Sequence, residues 1–329
     1  MRITRDTLLK LAKDTVAKRF VPDKNVIAVF LVGSLRPDDS QVDVAADVDL
    51  LVINNGEPMR DREIVKLSNE YHLDISFESN SKYAQARELR GDPWRGWAMW
   101  DPYLLHQKGR FFEYTQSIVR AQFDDPLNLL KRARYFSVPA REAWYEMQLN
   151  PASASPLKLL KAAYDAANAL VSLNGAPITE RRLLLEFPAR AQSLGLPELI
   201  QPLFASVSTS VPATDIRQWL QAWEIAFQAA AQSPGDLRLH AARLSYYKSG
   251  IETLLDGDLP AAALWPMLYT WALTAENGSL NDSQVKSWGA ACVEMGLSPK
   301  ALPERLQALD SFLDGLEERL EQLTAENGL

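Results

Sequence analysis

The chain has 329 residues, 47% of them apolar and 23% charged, and its formal net charge is -7. This length predicts two domains, and the composition excludes a disordered or fibrous chain. The single cysteine, Cys292, cannot form an intrachain disulfide, and one Cys with three His provides no zinc or iron–sulfur spacing.

Acidic residues outnumber basic ones, 42 to 35, and the basic residues are scattered along the chain. We therefore expect no long nucleic acid as a partner, whereas the negative charge suits a small cationic molecule. No window approaches the roughly 18 consecutive apolar residues of a membrane span, and the charged N-terminus lacks the apolar core of a signal peptide. These features predict a cytoplasmic protein without a membrane partner.

The first elements in chain order are a helix and three strands. Residues 5–20 carry apolar side chains at helical spacing, and Pro22 ends this pattern. Three largely apolar segments predict buried strands: residues 26–32, 48–53 and 71–78. Between the last two, residues 58–70 begin with a proline and place apolar residues on one side, which predicts a crossover helix.

A tryptophan-rich stretch and a long helical region follow. Residues 91–114 contain several loop-forming Gly and Pro residues and predict a short helix or strand. Further on, Ala- and Leu-rich segments with helical spacing continue to the end of the chain. We therefore predict two domains, residues 1–123 and 124–329, with a further division of the second near residue 235 left open.

Acidic residues mark the second and third predicted strands. Asp47 and Asp49 project to the same side by strand alternation, and Asp74 lies beside them if the two strands are neighbours. Converging carboxylates repel one another unless cations neutralise them. Oxygen-only clusters suit Mg²⁺ or Mn²⁺, and two such ions can hold an attacking hydroxyl and a leaving pyrophosphate. Singly, each acid is more often structural, and their order along the chain is what favours a site.

A Gly-Ser pair ends the first predicted strand. Gly33 permits close approach of the backbone to a ligand, and the Ser34 hydroxyl with the following amides can hold phosphate oxygens. The chain contains neither GxxxxGK nor GxGxxG, so P-loop and Rossmann sites lack their fingerprints.

The order of these features resembles the polymerase-beta superfamily of nucleotidyltransferases. VFLVGS up to Ser34, DVD from Asp47 and LDIS around Asp74 match its apolar-Gly-Ser, Asp-x-Asp and third-carboxylate motifs. The chain is also similar to the kanamycin-type (aminoglycoside) branch through DPW, DPYLLHQKGRFFEY and the helices that follow. The resemblance implies an α/β N-terminal nucleotidyltransferase domain, a small mixed sheet with flanking helices, followed by an all-helical C-terminal region that binds substrate.

The resemblance also implies an activity and its participants. The protein would transfer a nucleoside monophosphate, with AMP favoured, from an NTP, with ATP favoured, to a hydroxyl of a small acceptor such as an aminoglycoside. The residues that would bind Mg²⁺ or Mn²⁺ are Asp47, Asp49 and Asp74. The residues that would bind the nucleotide are Gly33, Ser34 and Arg36, where Arg36 replaces a Gly-Arg pair common in the family.

Several assignments stay open. Asp43 competes with Asp47 as the first acid. The family's general base is a glutamate of the helical domain, and REAWYEMQ offers Glu142 and Glu146 one turn apart, with overall spacing favouring Glu142. A homodimer follows by analogy only. The alternative functions are a non-catalytic, antitoxin-like binding partner and an enzyme that adds AMP to protein hydroxyls.

Overall fold

The computed structural model describes residues 4–35, 48–68, 71–209 and 212–329. The chain forms two compact units, Met1–Phe123 and Asp124–Leu329. The first unit contains a small mixed sheet with flanking helices, and the second is built from helices. This arrangement confirms the predicted fold class at the level of architecture.

In the described part of the first unit, five strands form one sheet in the order β3-β4-β2-β1-β5. The strands are β1 (Val26–Val32), β2 (Val48–Asn54), β3 (Arg62–Lys66), β4 (His72–Ser79) and β5 (Tyr103–Gln107). The helices are α1 (Arg5–Thr15), which continues as a π-helical turn (Val16–Phe20), α2 (Arg95–Trp100) and α3 (Phe111–Arg120). The predicted helix and the three predicted strands are all present, with boundaries that differ by at most one residue for the strands.

The crossover helix predicted over residues 58–70 is wrong. Residues Arg62–Lys66 form β3 instead, an edge strand that pairs antiparallel with β4. The chain passes from β2 to the outer edge of the sheet and returns as β4, which therefore lies parallel to β2. Strand pairing explains this result, because β4 would otherwise expose an open edge and the β-branched Ile64 and Val65 suit a strand.

Both faces of the sheet are buried, which accounts for the continuously apolar strands. On one face, Val29 of β1 shares a core with Leu8 of α1. On the other face, Phe30 of β1 shares a core with Val119 of α3. Alternation along β1 thus sends successive side chains into two separate cores. The face covered by α2 and α3 carries Asp49 and Asp74.

The described part of the second unit has nine helices around one apolar cluster that includes the buried Trp223, Trp265 and Trp271. They are α4 (Pro126–Leu149), α5 (Pro156–Val171), α6 (Leu183–Ser193), α7 (Ile200–Val207), α8 (Ala213–Ala230), α9 (Leu244–Asp256), α10 (Leu264–Glu276), α11 (Asp282–Glu294) and α12 (Leu302–Glu326). Among the described residues, no helix combines the length and apolar character needed to cross a membrane.

An arginine on α4 ties this helix to α12. The Arg141 guanidinium lies 2.7 Å from one carboxylate oxygen of each of three acids on α12: Asp310, Asp314 and Glu317. These charges raise the pKa of Arg141 above its ordinary value, against the opposing effect of burial, which is the largest single influence. These ion pairs hold α4, the helix that carries Glu142 and Glu146, against α12.

Asp165 on α5 gives a prediction for the pH dependence of stability. Burial raises the pKa of Asp165 from 3.8 to about 6, although Lys161 lowers it in part. The folded chain therefore holds this proton to higher pH than the unfolded chain, so stability falls as pH rises from 3.8 through about 6 and stays lower above it. We expect Asp165→Asn to raise the free energy of unfolding at neutral pH by about 1–3 kcal/mol.

Urea denaturation of the Asp165→Asn variant at acidic and neutral pH measures this effect. The gain should shrink toward zero below the unfolded-state pKa, where both proteins carry a neutral side chain. Asp258→Asn is the matched control, because Asp258 is an exposed acid of the same unit. Equal gains at both pH values, or in both variants, would contradict the assignment.

Candidate functional site

The strand register places two of the predicted acids next to each other. Asp49 of β2 is the register partner of Asp74 on the parallel strand β4, and of Val32 on the antiparallel strand β1. Residues paired in register project to the same face of a sheet. Asp49 therefore lies between the end of β1, where the Gly-Ser turn begins, and Asp74 on β4.

Gly33 is in close contact with the Asp49 carboxylate. Its φ is +70°, in the left-handed region that glycine adopts at no steric cost. A Cβ at this position would lie 2.9 Å from Asp49 Cγ and nearer still to Oδ2. A side chain at residue 33 would thus occupy the space of the carboxylate, so the glycine permits the approach of the turn to the acid.

Asp74 forms an ion pair with Arg62 of β3. Arg62 Nε donates to Asp74 Oδ1 at 2.6 Å, and Nη2 donates to Oδ2 at 3.0 Å. The Asp74 side chain is 2% exposed and that of Arg62 36%. Arg62 is opposite Ser76 in the register, diagonal to Asp74 on the same face. One row of side chains thus runs across the sheet: Arg62, Asp74 and Asp49.

The other residues predicted for this site lie outside the described part of the structure. They are Asp47, its competitor Asp43, Arg36 and the side chain of Ser34. Residues 33–35 form a short 3-10 turn directly after β1. The roles of these residues in metal and nucleotide binding stay predictions.

A divalent metal fits part of the described site. The Asp49 carboxylate is a hard oxygen ligand of the kind that Mg²⁺ and Mn²⁺ prefer. Both Asp74 oxygens accept hydrogen bonds from Arg62, and each keeps a further lone pair, so the role of Asp74 in metal binding stays a prediction. Within the described ranges, no three His, Cys, Asp or Glu residues are grouped to hold a metal ion.

A second acid on β4, Glu78, has a structural role. Arg95 of α2 donates to Glu78 through Nη2 at 2.9 Å, and the Tyr83 hydroxyl donates to its other oxygen. Burial raises the pKa of Glu78, but these hydrogen bonds and the charges of Arg95 and Lys82 bring it below its ordinary value. Glu78 therefore links α2 to the sheet.

The two glutamates predicted as general base are on α4, and both are exposed. Glu146 Oε1 lies 2.9 Å from Lys158 Nζ on α5. The hydrogen bond and charge of Lys158 lower the pKa of Glu146, which weakens it as a proton acceptor. No such pair is found for Glu142 among the described residues.

Arg62 is the residue of this site that the sequence interpretation missed. The segment DREIVK was assigned to a helix, in which Arg62 and Asp74 have no defined relation. Two β-branched residues in succession, Ile64 and Val65, are the signal that could have indicated a strand. Because β3 pairs with β4, Arg62 at the start of β3 lies diagonal to Asp74 of β4.

We expect Arg62→Met to destabilise the protein. It would leave the buried Asp74 carboxylate without this partner, and breaking a buried pair costs about 3–5 kcal/mol. Because Arg62 is 36% exposed, water screens part of the interaction, and we expect a loss of about 2–3 kcal/mol in the free energy of unfolding. In an Asp74→Asn background, the loss should be smaller by roughly 1 kcal/mol or more.

Urea denaturation of the two single variants and the double variant measures this coupling. Arg60→Met is the control, because Arg60 is an exposed arginine two residues away whose pair with Glu63 should contribute less than about 1 kcal/mol. A coupling energy near zero would show that the Arg62–Asp74 contact does not stabilise the folded state.

Comparison with solved structures finds several matching chains, among them one that is described as nucleotidyltransferase-like. Over 94% of this chain and 91% of the other, the protein is similar to a nucleotidyltransferase-like protein from Exiguobacterium sibiricum 255-15, with 12% sequence identity and a TM-score of 0.34. No protein-family model matches the chain, and no curated protein matches it in sequence. A TM-score of this size gives no information about activity. The function is therefore inferred from residues of the sheet and the turn after β1, chiefly Asp49, Asp74 and Gly33.

Proposed function

We propose that the protein is a metal-dependent nucleotidyltransferase that moves a nucleoside monophosphate from an NTP to a hydroxyl of a small molecule. The observation that supports this most is the register of Asp49, which pairs with Asp74 on one side and lies against Gly33 on the other. An acid beside a glycine turn combines a ligand for a hard cation with a backbone that can approach phosphates.

The proposed reaction needs few groups from the protein. The acceptor oxygen attacks the α-phosphorus, the bond from this phosphorus to the oxygen bridging it to the β-phosphate breaks, and pyrophosphate leaves. Asp49, with Asp47, would hold the Mg²⁺ that neutralises charge on the phosphates when it is bound. Gly33 and the turn that follows would position the triphosphate, so that catalysis depends on orientation and electrostatic stabilisation.

Of the two candidate glutamates, we propose Glu142 as the group that accepts the proton of the acceptor hydroxyl. Lys158 lowers the pKa of Glu146 and so makes it a weaker proton acceptor, which supports the choice of Glu142. We expect Glu142→Gln to reduce kcat about 100-fold with little change in nucleotide affinity, as loss of a general base does. Glu146→Gln, at the next turn of the same helix, is the matched control and should retain near wild-type turnover. The reverse order of effects would move the role to Glu146.

The experiment that tests the function has two stages. First, isothermal titration with non-hydrolysable ATP and GTP analogues, each with and without Mg²⁺, measures whether nucleotide binding requires the metal. Second, ATP labelled at the α-phosphate is incubated with the protein and separate panels of aminoglycosides, other hydroxylated small molecules and proteins. Transfer of label to a small molecule with release of pyrophosphate is the expected result, and an aminoglycoside acceptor would support the kanamycin-type resemblance.

The other outcomes separate the competing functions. Label on protein hydroxyls would favour the enzyme that adds AMP to proteins. Metal-dependent binding without transfer to any panel would favour a non-catalytic binding partner. Absence of binding for both ATP and GTP analogues would overturn the proposal.

A further inference from the structure

The second unit contains a cavity of about 490 Å³ between its helices. The described lining residues come from α6, α7, α12, the segment after α7, and the turn that leads into α10. Small-molecule sites in proteins typically have volumes of about 300–1,000 Å³, so this cavity is large enough for a small organic ligand. Its lining includes none of the residues proposed for nucleotide transfer.

The wall of the cavity combines apolar surface with a buried cation. Leu184 of α6, Phe204 of α7 and Leu264 of α10 supply the apolar surface. Arg305 of α12 also lines the cavity, although it is only 3% exposed. Removing a charge from water is costly, so arginine is seldom buried to this extent without a specific partner. Such a wall suits a molecule that has an apolar body and an anionic group.

Two backbone carbonyls hold the Arg305 guanidinium in this wall. Nη1 donates to the carbonyl oxygen of Ala205 at 2.6 Å and to that of Ser208 at 3.0 Å. Both carbonyls lie at the C-terminal end of α7, where a helix leaves its last carbonyls without an internal partner. Because carbonyls carry no net charge, these contacts orient the guanidinium but do not neutralise it.

The carboxylate that pairs with Arg305 belongs to the neighbouring residue, Glu304, which lines the same cavity. The Glu304 side chain is 74% exposed, and an ion pair with so exposed a partner contributes little. Another carboxylate could therefore take its place on Nη2 at low cost. A ligand carboxylate would form the same pair and would also bury apolar carbon atoms against Phe204 and Leu264, which Glu304 in water does not do.

We propose that this cavity binds a small apolar carboxylate, whose carboxylate displaces Glu304 from Arg305. The proposal goes beyond the proposed function and does not depend on it, because the two concern different residues. The chemical class follows from charge complementarity with Arg305 and from the apolar part of the wall.

Ligand-observed NMR titration of the full chain with three probes tests the chemical class. Octanoate carries both the apolar chain and the carboxylate, octylamine carries the same chain with a positive charge, and acetate carries the carboxylate without the chain. Octanoate should bind wild type on the order of 10-fold more tightly than either of the others, because a hydrogen bond to a charged group and burial of the chain both contribute.

Three variants locate the bound octanoate. Ala261→Phe places a ring in the cavity from the turn before α10 and should abolish binding. Arg305→Met should remove the preference for octanoate over octylamine. Glu304→Gln removes the competing carboxylate and should strengthen octanoate binding about two- to fivefold, whereas a purely structural ion pair would give no gain. Glu321→Gln, at an exposed acid farther along α12, is the matched control and should match wild type.

Four results would overturn the proposal. Octanoate could fail to bind wild type, or it could bind no more tightly than octylamine. Binding that Ala261→Phe leaves unchanged would lie outside the cavity, and an affinity that Glu304→Gln does not raise would show that the ligand does not replace Glu304. If Arg305→Met or Ala261→Phe does not fold, the three probes on wild type and on Glu304→Gln decide, since Glu304 is exposed. None of these results bears on nucleotide transfer, so the two proposals fail separately.

Discussion

Replacing Asp49 by Asn should reduce nucleotide transfer on the order of 1000-fold, as loss of a group that stabilises charge in a transition state does. Asn keeps the shape of the side chain beside Gly33 but removes the negative charge that would hold Mg²⁺. The fold should survive, because Asp49 is on β2 between strands whose backbone pairing does not involve its side chain. Initial rates of pyrophosphate release, together with urea denaturation, measure both quantities.

Asp14→Asn is the control for this prediction. Asp14 is an exposed acid on α1, so its replacement changes the net charge by the same amount away from the site. Transfer by Asp14→Asn should match wild type. Asp49→Asn with activity within tenfold of the control would remove Asp49 from the catalytic site.

Gly33→Ala should weaken both the fold and nucleotide binding. An Ala at φ +70° costs about 1–2 kcal/mol of backbone strain. The new Cβ would also meet the Asp49 carboxylate, 2.9 Å from Cγ, which adds about 1–3 kcal/mol if the neighbours must shift. Because the displaced group is the proposed metal ligand, we expect the affinity for the Mg²⁺–nucleotide analogue to fall on the order of 10-fold or more.

Gly109→Ala separates strain from displacement of the acid. Gly109 is in the same unit, has a φ of +61°, and has nothing within 4 Å of an added Cβ. The Gly109→Ala variant should lose about 1–2 kcal/mol in its free energy of unfolding. Its nucleotide affinity, measured by isothermal titration, should be unchanged. Equal affinities for the two variants would show that the contact between Gly33 and Asp49 has no part in binding.

The strands of the site could be predicted because their signals are local. The segment VIAVFLV predicted β1 at the residues where it is found, and β2 and β4 differ from their predictions by one residue at most at each end. The position of Gly33 directly after β1 was predicted from the Gly-Ser pair that follows the apolar segment. These features depend on apolar runs, β-branching and glycine, whose effects act over a few neighbouring residues.

The segment between β2 and β4 could not be assigned in this way. A proline followed by apolar residues is compatible with a helix or a strand, and its periodicity alone does not decide between them. The free edge of β4 decided it, since an unpaired strand edge favours another strand as its neighbour. Pairing across an edge is a contact between residues distant in sequence, and a local pattern does not encode it.

The amino-acid sequence by itself determined the α/β and helical architecture, the three main strands, and the presence of acids at the ends of two of them. Only the tertiary structure decided which side chains meet. The register of β2 with β4 placed Asp49 opposite Asp74, and the strand β3 brought Arg62 to Asp74. Strand register and edge pairing are set by the packing of the whole sheet, because a shift of one residue would turn every one of these side chains to the opposite face.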